Sequence, residues 1–544
     1  MRLHNLKVNS LSVSRINKTR IFLFVLILIV LFGQFLIGQS FSERSAALIA
    51  AIGSFIVIYD AFQVGRFYKY PLSSVVLLGF SIVLLLGPLL FTILEGKSIA
   101  FNLLLPNITF LNSVLVGVAA VCAHFFYRRI KQCQQLRSSL HNFLLRLNIF
   151  SPLSYSELII MSFVGLIAAA AQSWFYGNVI VIKFIQGFRF FSVIPVVYYF
   201  QQTIQFNQFK TSNNKKFATS FIVVYLILLG IISLGKNSRS DFFVPIASYG
   251  IVIGLLWLYG KIQVRILSVI SVLLSVVIAV PIFTDFATAM VMVRVQRRNE
   301  ASPTELIQLT ISKMNNRDEI SKYRLLRLNS GNISSTGWSE EYLSNPMLNR
   351  FANAKFVDNS LYDASFLDEN EKEQLTNFQI SRLIAYLPNP IINLFSADNN
   401  FKAKVLSQGF GDTLHYLATG NPSVTGGFRV THFIGMGKGS IGYLYLLLAF
   451  FSFIIIFIFV DSHSICNHLY HSSLIAPTFS IVAITQFYDW FTIATTTSLT
   501  ALVAFPLRSF FEPILLVALV RWLLKTPFLI KSLSLDQQTT KRDS

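Results

Sequence analysis

Apolar runs long enough to cross a bilayer recur along this chain, and that pattern restricts it to a bundle of membrane-spanning helices. The runs lie near Ile21–Ile37, Ser45–Val64, Leu72–Leu94, Ile108–Tyr127, Glu157–Phe175, Ile180–Tyr199, Phe217–Leu234, Phe242–Tyr259, Ile266–Phe283, Ser440–Val460, Ile475–Tyr488 and Ala501–Leu524. Charged residues make up only 13% of the 544, against roughly a quarter in a globular chain. The expected fold is an all-α polytopic integral membrane protein with about 12 transmembrane helices. The first run has the basic leader and apolar core of a signal peptide. No small-residue cleavage site follows Ile37, so it is read as a retained span.

Lysine and arginine orient the chain. Arg2, Lys7, Arg15, Lys18 and Arg20 precede the first span. Alternate links then carry Arg66 and Lys69; Arg128, Arg129, Lys131, Arg137 and Arg146; Lys210, Lys215 and Lys216; Lys261 and Arg265. Arg521, Lys525, Lys531, Lys541 and Arg542 follow at the C-terminal end. With both termini cytoplasmic, all of these fall on the inner side. The long interruption from Asp285 to Gly435 falls outside. The expected organisation is nine spans in residues 1–284, an extracytoplasmic loop at 285–435, three spans in 436–530 and a cytoplasmic tail at 531–544.

The loop holds 15 Lys/Arg and 15 Asp/Glu, so the net charge of +20 belongs to the membrane body and its cytoplasmic rim. It reflects orientation and attraction to anionic lipids, and it does not indicate nucleic acid. Cys122 falls in a span, and Cys133 and Cys466 fall in cytoplasmic links. The outer loop therefore has neither a disulfide nor a thiolate metal site.

Helix signals recur within the loop. Ser302-Pro303-Thr304-Glu305 is a capping box with proline at the first helical position. A second helix is predicted over Arg317–Leu328, and a third over Glu369–Tyr386 that stops at Leu387-Pro388-Asn389-Pro390. Gly409, Gly411, Gly420, Gly426 and Gly427 then mark an irregular strap near the membrane. No internal repeat of the kind found in duplicated transporters is present.

Cations on the outer side run against the orientation rule, and they are the first candidates for chemistry. Arg189 lies within the sixth run, Lys236 and Arg239 in the link Gly235–Asp241, Arg429 in the strap and Arg508 in the last run. The ordinary reading pairs each with a carboxylate or with lipid headgroups, as Glu512 at i+4 would pair with Arg508 and Asp241 with Arg239. The functional reading is that ionisable groups at membrane depth are costly, and guanidinium groups match phosphate oxygens in bidentate geometry. His415 and His432 are the loop's two histidines. His432, three residues after Arg429, is the candidate proton acceptor against the ordinary structural reading. Asp412 is a weaker candidate base.

Gly435-Met436-Gly437-Lys438-Gly439-Ser440 lacks the order of a phosphate loop and reads as a glycine-rich hinge. His463, Cys466, His468 and His471 could ligate a metal, with a solvated cytoplasmic link as the default. No Asp-x-Asp, Gly-x-Ser-x-Gly or phosphate-loop motif occurs.

Three features together resemble the bacterial O-antigen polymerase family, within the larger O-antigen polymerase and ligase superfamily. They are the many spans with one large outer loop before the last few, Ser238-Arg239-Ser240 directly after a span, and Gly426-Gly427-Phe428-Arg429 before the span that follows the loop. The middle feature looks like the superfamily's Ser-Arg-Gly type of motif, with serine in place of its glycine. The resemblance implies a glycosyltransferase-C-like enzyme of the bacterial inner membrane. It would polymerise oligosaccharide repeat units carried on undecaprenyl pyrophosphate at the periplasmic face. No metal or cofactor is implied, because the leaving group is already a pyrophosphate and needs only cations to meet its charge. Arg239 and Arg429, with Arg189, are the expected stabilising groups. His432 is the expected base, and Lys236, His415 and Arg508 are further substrate-binding groups. Implied partners are membrane lipids, a chain-length regulator and a flippase. The rival readings are an O-antigen ligase that transfers glycan to lipid A core, and a lipid-linked oligosaccharide flippase. A ligand sensor is disfavoured because no cytoplasmic link is long enough for an output domain.

Overall fold

The computed structural model describes residues 10–174, 179–204, 212–263, 281–294, 302–330, 338–345, 348–387, 392, 400–427, 429–465 and 478–525. Among these the chain is helical apart from links and a two-residue strand pair, Ser464–Ile465 against Thr478–Phe479. Six helices are long and apolar enough to cross a membrane: Ser12–Ile37, Phe41–Ala61, Pro71–Leu94, Pro106–Arg129, Asp241–Leu258 and Leu444–Ser462. Shorter apolar helices cover Tyr155–Ala171, Ser220–Lys236 and Pro281–Met292. The expected all-α membrane architecture is present to that extent. Most of the ninth run lies outside the described residues.

In chain order, α1 spans Ser10–Ile37, α2 Phe41–Ala61, α3 Pro71–Leu94 with a π-helical turn at Ile82–Leu86, α4 Pro106–Arg129, α5 Lys131–Arg146 and α6 Tyr155–Trp174. Next come α7 (Val179–Gln186), α8 (Ile194–Ile204), α9 (Ser212–Lys236) and α10 (Arg239–Leu258). The loop side contributes α11 (Pro303–Asn315), α12 (Arg317–Ser330), α13 (Ala354–Ala364), α14 (Glu369–Ala385), α15 (Phe410–Thr419) and α16 (Phe433–Ile441). The chain finishes with α17 (Leu444–Ser462), α18 (Ile481–Phe491), α19 (Leu499–Val503) and α20 (Glu512–Lys525).

Charge separates the two ends of the bundle. At one end Arg15 donates to the carbonyls of Trp257 and Ile262 at 2.7 and 2.8 Å. Asp60 there meets Arg66, Arg128 and His124, and Arg521 meets Glu157 at 3.1 Å. At the other end the loop is stitched to the links between spans. Asp358 accepts from the amides of Leu104 and Leu105 at 2.8 and 2.7 Å, and Glu95 accepts from those of Ser344 and Asn345 at 2.9 and 2.8 Å. The Asp60 cluster and the loop contacts thus lie at opposite ends of α4, at Arg128 and at Leu105 respectively.

Local signals in the loop hold. Ser302 and Glu305 close a capping box at the start of α11, α12 begins at Arg317, and α14 ends at Ala385. The glycine-rich strap is more ordered than its composition predicts. Gly409 caps α15 at its N-terminus, and Gly420 ends it in the left-handed conformation at φ 66°. The Gly435–Ser440 stretch is not a hinge but part of α16. Its glycines let the helix lie on α13, where a Cβ on Gly435 would fall 2.2 Å from the Cβ of Ser360. The loop's own apolar cluster joins Leu367, Leu375, Leu414, Leu417 and Met436.

Three predicted spans differ from their expected continuity or bounds. The sixth divides into α7, a 3-10 segment at Gly187–Val193 and α8. The eleventh begins only at Ile481 and passes from α18 into a 3-10 turn at Ile493–Thr495. The twelfth runs through α19, a π-helical segment at Pro506–Phe511 and α20. Non-helical backbone at membrane depth is tolerated where it lines a cavity or is buried in protein. Two glycines admit the close approaches that hold these segments. A Cβ on Gly79 would lie 1.8 Å from the Phe491 carbonyl oxygen, and one on Gly165 would lie 2.6 Å from the Phe191 carbonyl carbon. Gly79→Ala must push backbone aside, an overpacking cost of about 1–3 kcal/mol. The thermal midpoint of the detergent-purified variant is expected to fall clearly below wild type, and an unchanged midpoint refutes this packing.

Candidate functional site

Segments of these three predicted spans meet at a cavity of about 630 Å³. Its walls include Gln186, Arg189 and Ser192 from the 3-10 segment and its flank, Asp241 from the first turn of α10, and Gln486, Tyr488 and Asp489 from α18. Thr492 and Thr496 follow on one side, and Arg508, Ser509 and Glu512 face them from the π-helical segment and α20. Tyr386, just past the end of α14, is the loop's contribution. Its presence puts the cavity at the loop end of the bundle. The size falls within the roughly 300–1,000 Å³ of small-molecule sites, and the lining is more polar than most.

Asp241 anchors the cationic wall. It is 4% exposed, ion-paired with Arg189, and 3.2 Å from Lys236 Nζ. Lys236 is itself buried and also donates to the Ala169 carbonyl at 3.3 Å. The Arg189 side chain keeps 43% of its surface exposed, so one edge of the guanidinium remains presentable to a ligand. Across the cavity Asp489 is exposed and interacts electrostatically with Arg189. Arg508 interacts electrostatically with its i+4 carboxylate, Glu512, without a direct ion pair among the described residues. It lies in the π-helical segment, where the repeat is i+5, and its guanidinium sits 5.1 Å over the Tyr386 ring. The cation–π contact ties Tyr386 of the loop to the π-helical segment that precedes α20.

The expected site residues divide into two groups. Arg189 and Arg508 line the cavity, and Lys236 stands behind it through Asp241. Arg429 and His415 belong to the loop's interior. Arg429 holds Asp412 at 3.2 Å and the Val424 carbonyl, and its backbone amide donates to the same carboxylate at 3.1 Å. His415 Nδ1 is 2.9 Å from Asp363, with its ring edge-on to Trp338. Asp412, engaged by Arg429, is not presented as a base. Arg239 opens α10, and its side chain lies outside the described residues.

His432 is near the cavity but cannot fill the proposed proton-accepting role in this arrangement. It is 1% exposed and caps α16. Nε2 is 2.6 Å from the Ala494 carbonyl and therefore carries the proton, while Nδ1 accepts from the Ile434 amide at 3.3 Å. Both ring nitrogens are committed. Burial pushes the imidazole down to about 4, with the Ala494 carbonyl opposing, so it is neutral at physiological pH. Its role is positional. With Thr431 donating to the Thr497 carbonyl at 2.7 Å, and the Phe433 amide to that of Thr496 at 3.0 Å, it fixes the turn that forms one cavity wall.

His463 is buried with Nδ1 2.6 Å from Ser480, and Cys466, His468 and His471 lie outside the described residues. Among the described residues no group of three potential metal ligands occurs. Asp489 went unread in the sequence because the predicted eleventh span ended at Tyr488, one residue short. An acidic residue at the end of an apolar run was the available signal. No family model matches the chain, and no curated protein or solved structure matches it either.

Proposed function

We propose that this protein is a glycosyltransferase that polymerises undecaprenyl-pyrophosphate-linked oligosaccharide repeat units at the outer face of the bacterial inner membrane, with twelve spans and a glycosyltransferase-C-like fold. The observation that carries the reading is the polar cavity at the loop end, where Arg189 and Asp489 face one another at membrane depth. A lipid-linked donor keeps its diphosphate near the membrane while its sugars extend outward, and this cavity offers a cation within the bundle and a polar path toward the loop. In the reaction an acceptor hydroxyl attacks the anomeric carbon and the bond from that carbon to the diphosphate oxygen breaks. The hydroxyl proton passes to the Asp489 carboxylate, and the charge that develops on the leaving diphosphate is met by Arg189. Asp241 and Lys236 hold Arg189 in place.

A second reading, a lipid-linked oligosaccharide flippase, is favoured by one feature: interrupted helices converging on a charged cavity are also how transporters build substrate sites. An O-antigen ligase would use the same donor. Deletion of the gene separates the three. The polymerase reading expects core lipid bearing a single repeat, with laddering restored by the wild-type gene. Loss of every repeat from the core would reject it in favour of a ligase or flippase.

A further inference from the structure

Helix α14 carries a cation for which the proposed reaction has no use. Arg382 is 7% exposed, and its guanidinium lies 4.7 Å from the Phe410 ring centroid and 5.4 Å from that of Phe378. Its Nε is buried with no hydrogen-bond partner, and among the described residues no carboxylate pairs with it. Burying a guanidinium without an anion is unfavourable, and aromatic faces and the end of a helix offset only part of that cost. One turn further along the same face stands Tyr386, which lines the cavity and lies under Arg508. One turn before it, Gln379 leaves its side-chain carbonyl oxygen buried and unpartnered while its amide nitrogen is held by Ser440 at 2.9 Å. A polar stripe on α14 therefore runs from Gln379 past Arg382 to Tyr386 in the cavity wall, where Arg382 interacts with Tyr386 and Arg508, itself near the Glu512 carboxylate, lies over its ring.

We infer that Arg382 and Arg508, with Tyr386 between them, form an anion subsite at the loop-side mouth that takes the carboxylate of an acidic sugar. The inference rests on the cavity's reading as a glycan site. A diphosphate has the same chemistry in outline. It is tethered to a membrane lipid, however, and Arg189 meets it at bilayer depth, whereas Arg382 sits on a loop helix. The tyrosine ring suits the apolar face of a pyranose, so the subsite selects a charged sugar by ring stacking and charge together.

The test is equilibrium binding to the full chain purified in detergent, with tetragalacturonate, uncharged maltotetraose and inorganic pyrophosphate as probes. Tetragalacturonate is expected to bind about tenfold more tightly than maltotetraose, the worth of one charge-assisted contact. Arg382→Gln and Arg508→Gln should each abolish that preference, while pyrophosphate binding should fall in Arg189→Gln and not in Arg382→Gln. Equal binding of the two tetrasaccharides to wild type overturns the subsite. Retained preference in both variants overturns it as well and leaves Arg382 a packing cation. Loss of pyrophosphate binding in Arg382→Gln, with Arg189→Gln unaffected, reassigns the site to the diphosphate. Arg508 is exposed, so its variant reports even where the buried Arg382 substitution unfolds the chain. Binding is read on isolated protein, so the subsite and the polymerase reading fail independently of one another.

Discussion

Cells whose only copy carries Asp489→Asn are expected to build no glycan ladder, although the variant reaches the membrane at wild-type levels. Asparagine matches the carboxylate in shape but cannot take a proton, and losing a general base lowers turnover by about 10²–10⁴-fold. Arg189→Gln should fail as well, by a different route. In the proposed reaction it removes the charge that meets the leaving diphosphate, a loss of about 10²–10³-fold by analogy with other preorganised stabilising groups. It also releases Asp241, whose buried carboxylate keeps Lys236, at 3.2 Å, as its ion-pair partner among the described residues. The measurement is a gel of surface glycan beside an immunoblot of membranes. Normal laddering with Asp489→Asn would remove this residue from the mechanism. His432→Gln is a useful companion, since a positional residue should alter activity without shifting its pH optimum.

Asp461→Ala is expected to produce the largest loss of stability, at the opposite end of the molecule. Asp461 is 0% exposed at the end of α17. One carboxylate oxygen accepts from the backbone amides of Leu72 and Ser73 at 3.1 and 3.0 Å, so it caps the start of α3 from another helix. The other accepts from Ser73 Oγ at 2.6 Å and Tyr127 at 3.1 Å. Ser73 Oγ then meets His124 Nε2 at 3.0 Å, and His124 Nδ1 meets Asp60 at 2.6 Å. Helices α2, α3, α4 and α17 are thereby joined by one buried polar chain. Alanine leaves several donors without partners, at a cost of roughly 3–5 kcal/mol, as for removing one member of a buried ionic network. The detergent-purified variant should melt far below wild type or fail to accumulate. Asp461→Asn should fall between, because an amide oxygen can still serve the two backbone donors. Equal melting of all three would show that the network contributes little.

Those two predictions draw on different kinds of information. Asp461 directly follows the predicted tenth span, Ser440–Val460. Its bonds to Leu72 and Ser73, nearly four hundred residues earlier, were not legible in the sequence. Arg189 stood out because it is an arginine within an apolar run. Arg429 and His432 stood out because they sit close together before a span, and neither reaches the cavity. Proximity along the chain is a poor guide there, since the Asp412 carboxylate and the Ala494 carbonyl claim those side chains first. Arg508 shows the same limit. Its i+4 carboxylate Glu512 does interact with it, but the guanidinium also sits over the Tyr386 ring, a loop partner that spacing along the chain does not supply.

What the sequence by itself determined are the properties that depend on short stretches of chain. Apolar length marks the six helices able to cross a membrane, and Ser302 with Glu305 starts a helix wherever that helix goes. These are balances between a residue and its immediate solvent or backbone. Only the tertiary structure decided how three predicted spans differ from their expected continuity or bounds, that segments of them share one cavity, and that Asp489 rather than His432 faces it. Helix continuity at membrane depth, proton affinity and partner choice all depend on groups brought together from distant parts of the chain. In a medium without water, the nearest available donor or acceptor determines the role of each polar residue.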